Sequence, residues 1–248
     1  MTQLFNTYLQ QNNYTQFDLK AVLFDMDGVL YDSMPAHAQS WQETMEEFGL
    51  KLTKSEDFYL HEGRPADFTI NILFKNEFHR DATPNEIKEM YARKSELFAK
   101  YNTGAFIEGA KELLYLVKSR GLVPVLVTGS KQPTLLDRLD DNFPDIFTPK
   151  TMVTAFDTEI GKPHPEPFLM GLEKGGNLKP NQAIAIENAP LGAESATQAG
   201  IFTICVNTGP LDDKILADAG ANIVFHSMKE LLDNFSEILK ITSTIRNN

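Results

Sequence analysis

A single cysteine, Cys205, among 248 residues leaves the chain without an internal disulfide or a multi-cysteine metal centre. No apolar run approaches the roughly 20 residues needed to cross a bilayer. The opening stretch, Met1 to Asp18, is polar and rich in Asn and Gln. It lacks the basic start and apolar run of a secretory signal, so the default expectation is a cytoplasmic protein with a loosely ordered N-terminus. Positive charge is also scarce: 23 Lys and Arg stand against 34 Asp and Glu, a formal charge of −11. With no basic stripe to offset it, an acidic surface argues against nucleic acid as a partner. A small anionic substrate then needs a few local cations concentrated in one cleft. The five histidines show no zinc-ligand spacing. There is no Gly-x-Ser-x-Gly elbow, and Gly161-Lys162 is followed by Pro163 without the earlier glycine of a phosphate-binding P-loop.

What is present describes a globular α/β chain. A hydrophobic fraction of 42% suffices for one large domain or a domain with an insertion. Leu19 to Phe24 reads as a short buried strand ending at Asp25. Similar runs recur at Val123–Val127, Ala183–Ile186, Ile201–Val206 and Asn222–Phe225. Helix-period segments fall between them, at Ala110–Ser119, Glu166–Lys174, Leu191–Ala199, Leu211–Ala219 and Lys229–Leu239. This alternation predicts a doubly wound parallel sheet covered on both faces. Residues 33–104 break the pattern and read as wholly helical, with Thr83, Pro84 and Glu86 forming a helix start with a capping box. The expected division is therefore a core of residues 1–32 and 105–248 with residues 33–104 inserted above the strand ends, where ligands bind in open α/β sheets.

Polar residues of unusual character follow the predicted strands: Asp25 and Asp27; Thr128, Gly129 and Ser130; Gly161-Lys162-Pro163 after a loop; and Glu187-Asn188. Taken singly, each has an ordinary reading. Asp-x-Asp is commonly a turn or cap, a Lys before Pro a solvated loop residue, and Glu-Asn a helix N-cap pair. A parallel sheet, however, turns these strand ends to one side. Gathered there, a carboxylate can attack phosphorus, a second can move protons, and hydroxyl, backbone N–H and ammonium groups can hold phosphoryl oxygens. A divalent cation such as Mg²⁺ would offset the repulsion between carboxylate and phosphate.

At this point the sequence resembles the haloacid dehalogenase-like superfamily, whose four motifs are matched in order by Asp25-Met26-Asp27-Gly28-Val29-Leu30, Val127-Thr128-Gly129-Ser130, Gly161-Lys162-Pro163 and Ile186-Glu187-Asn188. The resemblance covers nearly all the chain after Asp18. The helical insertion matches the small cap of the β-phosphoglucomutase branch. It implies Asp25 as nucleophile, Asp27 as general acid/base, and Thr128 and Lys162 as phosphoryl-binding groups with Gly129 and Ser130. It implies a Mg²⁺ site made by Asp25, Asp27 (through its backbone carbonyl), Glu187 and Asn188. In the insertion it implies substrate contacts from His37, Arg64 and Lys94, although each could be an ordinary surface residue.

Two departures bear on the substrate. Asn188 stands where the family usually has a second acid, which removes one negative charge from the metal site. Glu62 stands two residues before the anion-gripping Arg64, where it repels a sugar phosphate unless it pairs with Arg64 or binds a metal chelated by a polyanion. Together with Met34-Pro35, His61 to Arg64, Val153 to Asp157 and Asn207 to Asp212, these features resemble bacterial inorganic pyrophosphatases of this superfamily. The expectation is a monomeric, Mg²⁺-dependent phosphohydrolase acting on pyrophosphate or another small phosphate. The alternatives are a β-phosphoglucomutase, which transfers the same phosphoryl group to a sugar, and a non-catalytic phosphate-binding protein. Replacing Asp25 by Asn is predicted to abolish phosphate release while leaving circular dichroism and thermal unfolding unchanged; near-native activity in that variant would remove the covalent mechanism.

Overall fold

A computed structural model of the chain describes residues 1–51, 55–130 and 138–246. Among the described residues the sheet has six strands: β1 (Ala21–Phe24), β2 (Val123–Val127), β3 (Met152–Val153), β4 (Ala183–Glu187), β5 (Phe202–Val206) and β6 (Ile223–Phe225). Their order is β3-β2-β1-β4-β5-β6, and every pairing is parallel. β1 runs beside both β2 and β4, with Phe24 level with Leu126 and Ile186. The winding reverses at β1, so the residues just after it lie at the topological switch point of the sheet.

The alternation of side chains along the strands divides the core in two. Val22, Phe24, Ile184, Ile186, Phe202 and Ile204 point into the larger cluster, with α6 (Ala110–Ser119) and α11 (Met228–Thr244). Ala21, Leu23, Ala183 and Ala185 face the other way, against α8 (Glu166–Lys174) and α9 (Pro190–Gln198). The small residues on that face let a helix approach closely: a Cβ on Gly171 of α8 would lie 2.9 Å from both Leu23 and Val127. Among the described residues the core also carries α7 (Leu139–Asn142) and α10 (Asp213–Asp218). The doubly wound parallel fold is as the strand–helix alternation predicts.

The N-terminal segment corrects the sequence expectation. Residues Thr2–Gln11 form a helix, α1, instead of a loose tail. Phe5, Tyr8 and Leu9 lie on one helical face and are buried among the polar residues that hide the pattern. Phe5 stacks on Phe202 with ring centroids 3.9 Å apart, and the Tyr8 hydroxyl donates to the Gly200 carbonyl at 2.7 Å. The edge strand β3 was also not anticipated, because two residues carry no readable period.

Between β1 and β2 lie α2 (Met34–Glu47), α3 (Ser55–Leu60), α4 (Ala66–Phe78) and α5 (Pro84–Tyr101). They enclose a cluster of their own, including Met45, Phe58, Ile70, Phe74 and Met90. The capping box of α5 is formed: Thr83 N donates to Glu86 at 2.7 Å and Glu86 N to the Thr83 hydroxyl at 3.3 Å. The two chain crossings into this insert are tied together. Asp32 N donates to Ala105 O at 2.9 Å, Ile107 N to Leu30 O at 3.0 Å, and Tyr31 and Phe106 form an antiparallel bridge. Among the described residues no helix is long and apolar enough to cross a membrane.

Truncating Phe5 to Ala should cost about 3–5 kcal/mol of stability, the usual range for emptying a buried aromatic site. Urea unfolding checks this; a loss below about 1 kcal/mol would show α1 to be dispensable to the core.

Candidate active site

Four segments meet around one buried ammonium. Lys162 Nζ donates to Asp25 Oδ1 and Glu187 Oε1, each at 2.6 Å, and to the Val127 carbonyl at 3.0 Å. Asp25 follows β1, Val127 ends β2 and Glu187 ends β4. Parallel pairing is what brings these ends together. The loop carrying Lys162 is braced from α8, where the Glu166 carboxylate accepts from Glu159 N at 2.8 Å and Ile160 N at 3.1 Å. Glu187 fits only because Gly192 has no side chain: a Cβ there would sit 2.1 Å from the carboxylate. Burial would lower the Lys162 pKa, but Asp25 and Glu187 reverse this and hold the ammonium above its ordinary value. Burial raises Asp25 well above the usual carboxylate range; Lys162 opposes that rise, while Glu187 and Asp27 add to it.

Asp27 is held differently. Ser33 donates to its Oδ1 at 2.5 Å and His37 Nε2 lies 3.4 Å from the same oxygen. His37 Nδ1 is 2.7 Å from Lys94 Nζ. With Nδ1 accepting from the ammonium, Nε2 carries the proton that faces Asp27. Burial pushes Asp27 up, but His37, Ser33 and Lys94 outweigh it and keep this carboxyl below its ordinary value. Lys94 itself is buried, with its ammonium 4.9 Å from the Phe98 ring centroid and 5.6 Å from that of Trp41. Burial lowers its pKa to about 8 despite the opposing charges of Glu62 and Asp27.

A cavity of about 440 Å³ lies between core and insert. Its wall includes Asp27, Thr128, Gly129, Ser130 and Lys162 from the core, and His37, Trp41, Glu62, Arg64, Tyr91 and Lys94 from the insert. Asp25, Glu187 and Asn188 are buried and are not wall residues; the first two touch the wall through Lys162. Thr128 is buried, and its hydroxyl accepts from Ser130 N at 3.0 Å. The turn at residues 61–64 sits directly on the core loops. A Cβ on Gly63 would lie 3.2 Å from the Lys162 side chain, and one on Gly129 would lie 3.1 Å from Gly63 O. The insert is thus closed onto the site.

Glu62 and Arg64 do not pair. Neither side chain makes an ion pair or hydrogen bond among the described residues, and Arg64 Nε is buried without a partner. The Arg64 guanidinium lies against the Phe68 ring, 5.2 Å from its centroid. Burial raises the Glu62 pKa and Asp27 adds to that rise, while the Lys94 and Lys162 ammoniums oppose it.

Asn188 bears on whether the site suits a cation. Its side chain is buried with both Oδ1 and Nδ2 unpartnered. A Cβ on Gly28 would lie 2.0 Å from Nδ2, so Gly28, at φ +81°, leaves the space this amide fills. A buried amide without partners is costly, and an oxygen-seeking ion would satisfy its carbonyl. Among the described residues no three His, Cys, Asp or Glu side chains gather as a metal cluster. A cation here would draw on the Asn188 carbonyl and backbone oxygen as well as carboxylates, which suits Mg²⁺ with its few protein ligands.

The residues that the sequence singles out lie in or beside one cavity, but the sequence assigns no role to Ser33, the Val127 carbonyl, Gly28 or Gly192. Ser33 was read only as the edge of the insert. A glycine's missing side chain has meaning only once the neighbour filling its space is known.

Comparison with known proteins agrees with this geometry. Residues 22–206 match the family model for haloacid dehalogenase-like hydrolases. The chain is 31% identical over 89% of its length to the whole of a phosphorylated carbohydrates phosphatase of Thermotoga maritima. It is 29% identical to hexitol phosphatase A of Escherichia coli, covering 86% of this chain and 93% of that one. Among solved structures, one from Bacteroides vulgatus provisionally named a β-phosphoglucomutase superimposes with a TM-score of 0.93, at 51% identity and 98% coverage of both chains.

The Lys94 environment has a kinetic signature. Its charge is lost as pH rises through about 8, leaving Glu62 and Asp27 less balanced. The alkaline limb of kcat/KM for an anionic substrate is therefore expected near pH 8, and should move up by about one pH unit or more in Lys94→Arg, because Arg stays charged. A limb that does not move would assign it to another group.

Proposed function

The chain belongs to the haloacid dehalogenase-like hydrolases, and from that premise we propose that it hydrolyses a small phosphate through an aspartyl-phosphate on Asp25, with inorganic pyrophosphate as the leading substrate. The observation that carries the pyrophosphate reading is the unpaired Glu62 in the cavity wall. A sugar phosphate would meet it as bare negative charge beside the anion-binding groups. A metal-chelated polyanion would meet it as a ligand. Asn188 supports the same reading, since it lowers the charge of the floor and leaves more of the cation's coordination to the substrate.

Mg²⁺ is the proposed cofactor, held by Asp25, the Asp27 carbonyl, Glu187 and Asn188. When bound it would offset repulsion between the Asp25 carboxylate and the phosphate and polarise phosphoryl oxygens. The residues of the chain account for the rest. Lys162, the Thr128 hydroxyl and the backbone at Gly129 and Ser130 hold the reacting phosphoryl oxygens. Arg64, His37 and Lys94 face the second phosphate. An Asp25 oxygen attacks phosphorus; the bridging P–O bond breaks and its electrons leave with orthophosphate. When pyrophosphate binds as its monoprotonated ion, the leaving group departs as hydrogen phosphate and needs no proton from Asp27, which suits an Asp27 kept ionised by His37 and Ser33. Asp27 then takes a proton from water, and the water oxygen attacks the same phosphorus. The acyl–phosphate P–O bond breaks and its electrons return to the Asp25 carboxylate; Asp27 passes the proton it took from water to the departing phosphate, which restores both carboxylates. The insert, residues 33–104, acts as the cap that excludes bulk water during these steps.

A second reading, on sugar phosphates, is favoured by the cavity volume of about 440 Å³, which falls in the roughly 300–1,000 Å³ range of pockets for organic ligands. Trp41 and Tyr91 in its wall suit a sugar ring, and the carbohydrate phosphatase and hexitol phosphatase relatives carry such names. In the β-phosphoglucomutase form a sugar hydroxyl replaces water in the second step. Phosphate release should be measured with pyrophosphate, β-glucose 1-phosphate and other sugar phosphates, with and without Mg²⁺. Formation of glucose 6-phosphate from β-glucose 1-phosphate would overturn hydrolysis as the main outcome. Glu62→Ala is expected to lower kcat/KM for pyrophosphate about tenfold more than for monophosphates; an equal effect on both would remove Glu62 from the choice of substrate.

A further inference from the structure

The segment Asn207–Asp212 follows β5 and takes no part in the chemistry above, yet it touches both sides of the site. On the insert side it meets Tyr59, at the end of α3. A Cβ on Gly209 would lie 2.6 Å from two atoms of the Tyr59 ring, so the ring rests directly on glycine backbone. Met34 and Leu211 bury the same ring, with Leu60 and Ile215 packed beside them. This cluster is separate from the insert's own core, to which Met45, Phe74 and Met90 belong. On the core side, the Thr208 hydroxyl donates to the Gly28 carbonyl at 2.6 Å. Gly28 is the residue whose missing side chain leaves room for the Asn188 amide.

The segment is itself stiffly held. Asn207 N donates to Phe225 O at 2.7 Å, tying it to the end of β6. The Asn207 amide donates to Leu211 O at 2.7 Å and to Asp213 Oδ1 at 2.6 Å, closing the turn. Only two residues separate Tyr59 from Glu62, and the turn that follows lies on Lys162 and Gly129. A ring fixed at position 59 therefore fixes where Glu62, Gly63 and Arg64 enter the cavity wall.

We propose that Asn207–Leu211 is a positioning strut whose Gly209 seats the Tyr59 ring, and that this seat places Glu62 and Arg64 over the cavity when the insert closes. Tyr59 and Gly209 touch no reacting atom; they act through the turn at residues 61–64. The ring, not the hydroxyl, makes the contact, and glycine is needed at 209 because any side chain would displace the ring. The kinetic part of this proposal rests on the pyrophosphate reading, whereas the structural part does not.

The test compares Gly209→Ala, Tyr59→Ala and Tyr59→Phe with the wild type by two readouts. Amide hydrogen exchange across residues 58–66, in the absence of substrate, should accelerate in Gly209→Ala and Tyr59→Ala and stay unchanged in Tyr59→Phe, while exchange in β1 and β4 stays constant in all three. KM for Mg²⁺-pyrophosphate should rise on the order of tenfold to a hundredfold in the two Ala variants with kcat changed far less, because misplacement of binding groups is what changes. Unchanged exchange and KM in Gly209→Ala would overturn the proposal. So would a Tyr59→Phe variant as impaired as Tyr59→Ala, since the hydroxyl would then be the working group. General destabilisation would show instead as faster exchange in β1 and β4 and a loss of kcat. Because the exchange comparison uses no substrate, a wild type inactive on pyrophosphate would sink the pyrophosphate reading alone, and the exchange result would still decide the seat.

Discussion

The three contacts of Lys162 Nζ, to Asp25, Glu187 and the Val127 carbonyl, tie together three strand ends that are remote in sequence. Remove the ammonium and two buried carboxylates face each other without a counter-charge, a situation that typically costs about 3–5 kcal/mol. The strand order, the brace from Glu166 to the preceding loop and the space vacated at Gly192 all serve to put that one cation between those two anions. The insert depends on it too, since Gly63 lies on the Lys162 stem. The arrangement specifies geometry more than it adds stability, because desolvating three charged groups consumes most of their mutual attraction.

Around this centre the charges are layered. The floor, with Asp25 and Glu187 on Lys162 and Asp27 beside them, gathers more carboxyl groups than ammoniums and holds an unsatisfied amide. The insert brings Lys94, Arg64 and His37 within reach, together with the carboxylates of Glu62 and Asp67. A chain with a formal charge of −11 thus handles anions by concentrating its few cations at one interface. The same crowding drives Asp25 and Asp27 apart in acidity: the first is raised by burial beside other carboxylates, and the second is held down by Ser33 and the His37–Lys94 pair. Two carboxyls of different acidity, two residues apart, are what a nucleophile and a proton carrier need.

The legible part of this molecule was the part governed by periodicity. Strands with buried faces on both sides read as continuous apolar runs, and the polar residues that end them stand out for that reason. The capping box at Thr83 was legible because three residues at fixed offsets form it. What escaped depends on partners distant in sequence. The apolar face of α1 is diluted by Gln and Asn, and it became recognisable only against Phe202. Gly28 and Gly192 look like turn glycines until the Asn188 amide and the Glu187 carboxylate occupy the space beside them. Whether Glu62 pairs with Arg64 could not be read from two residues on one turn; it depends on Arg64 lying against Phe68 and Glu62 facing the cavity.

The paired crossings at Tyr31 and Phe106 set how the molecule can breathe. Two independent linkers would let the insert swing and twist in many directions. Here the two crossings are hydrogen-bonded to one another, so the insert is attached to the core through one paired ribbon instead of two separate tethers. The cavity wall is shared between insert and core, so any widening of the cavity by movement of the insert bends this one ribbon. A cycle that required such bending would feel the drag of solvent on the insert, and solvent viscosity would then bear on its rate even though the buried carboxylates at the site are shielded from solvent.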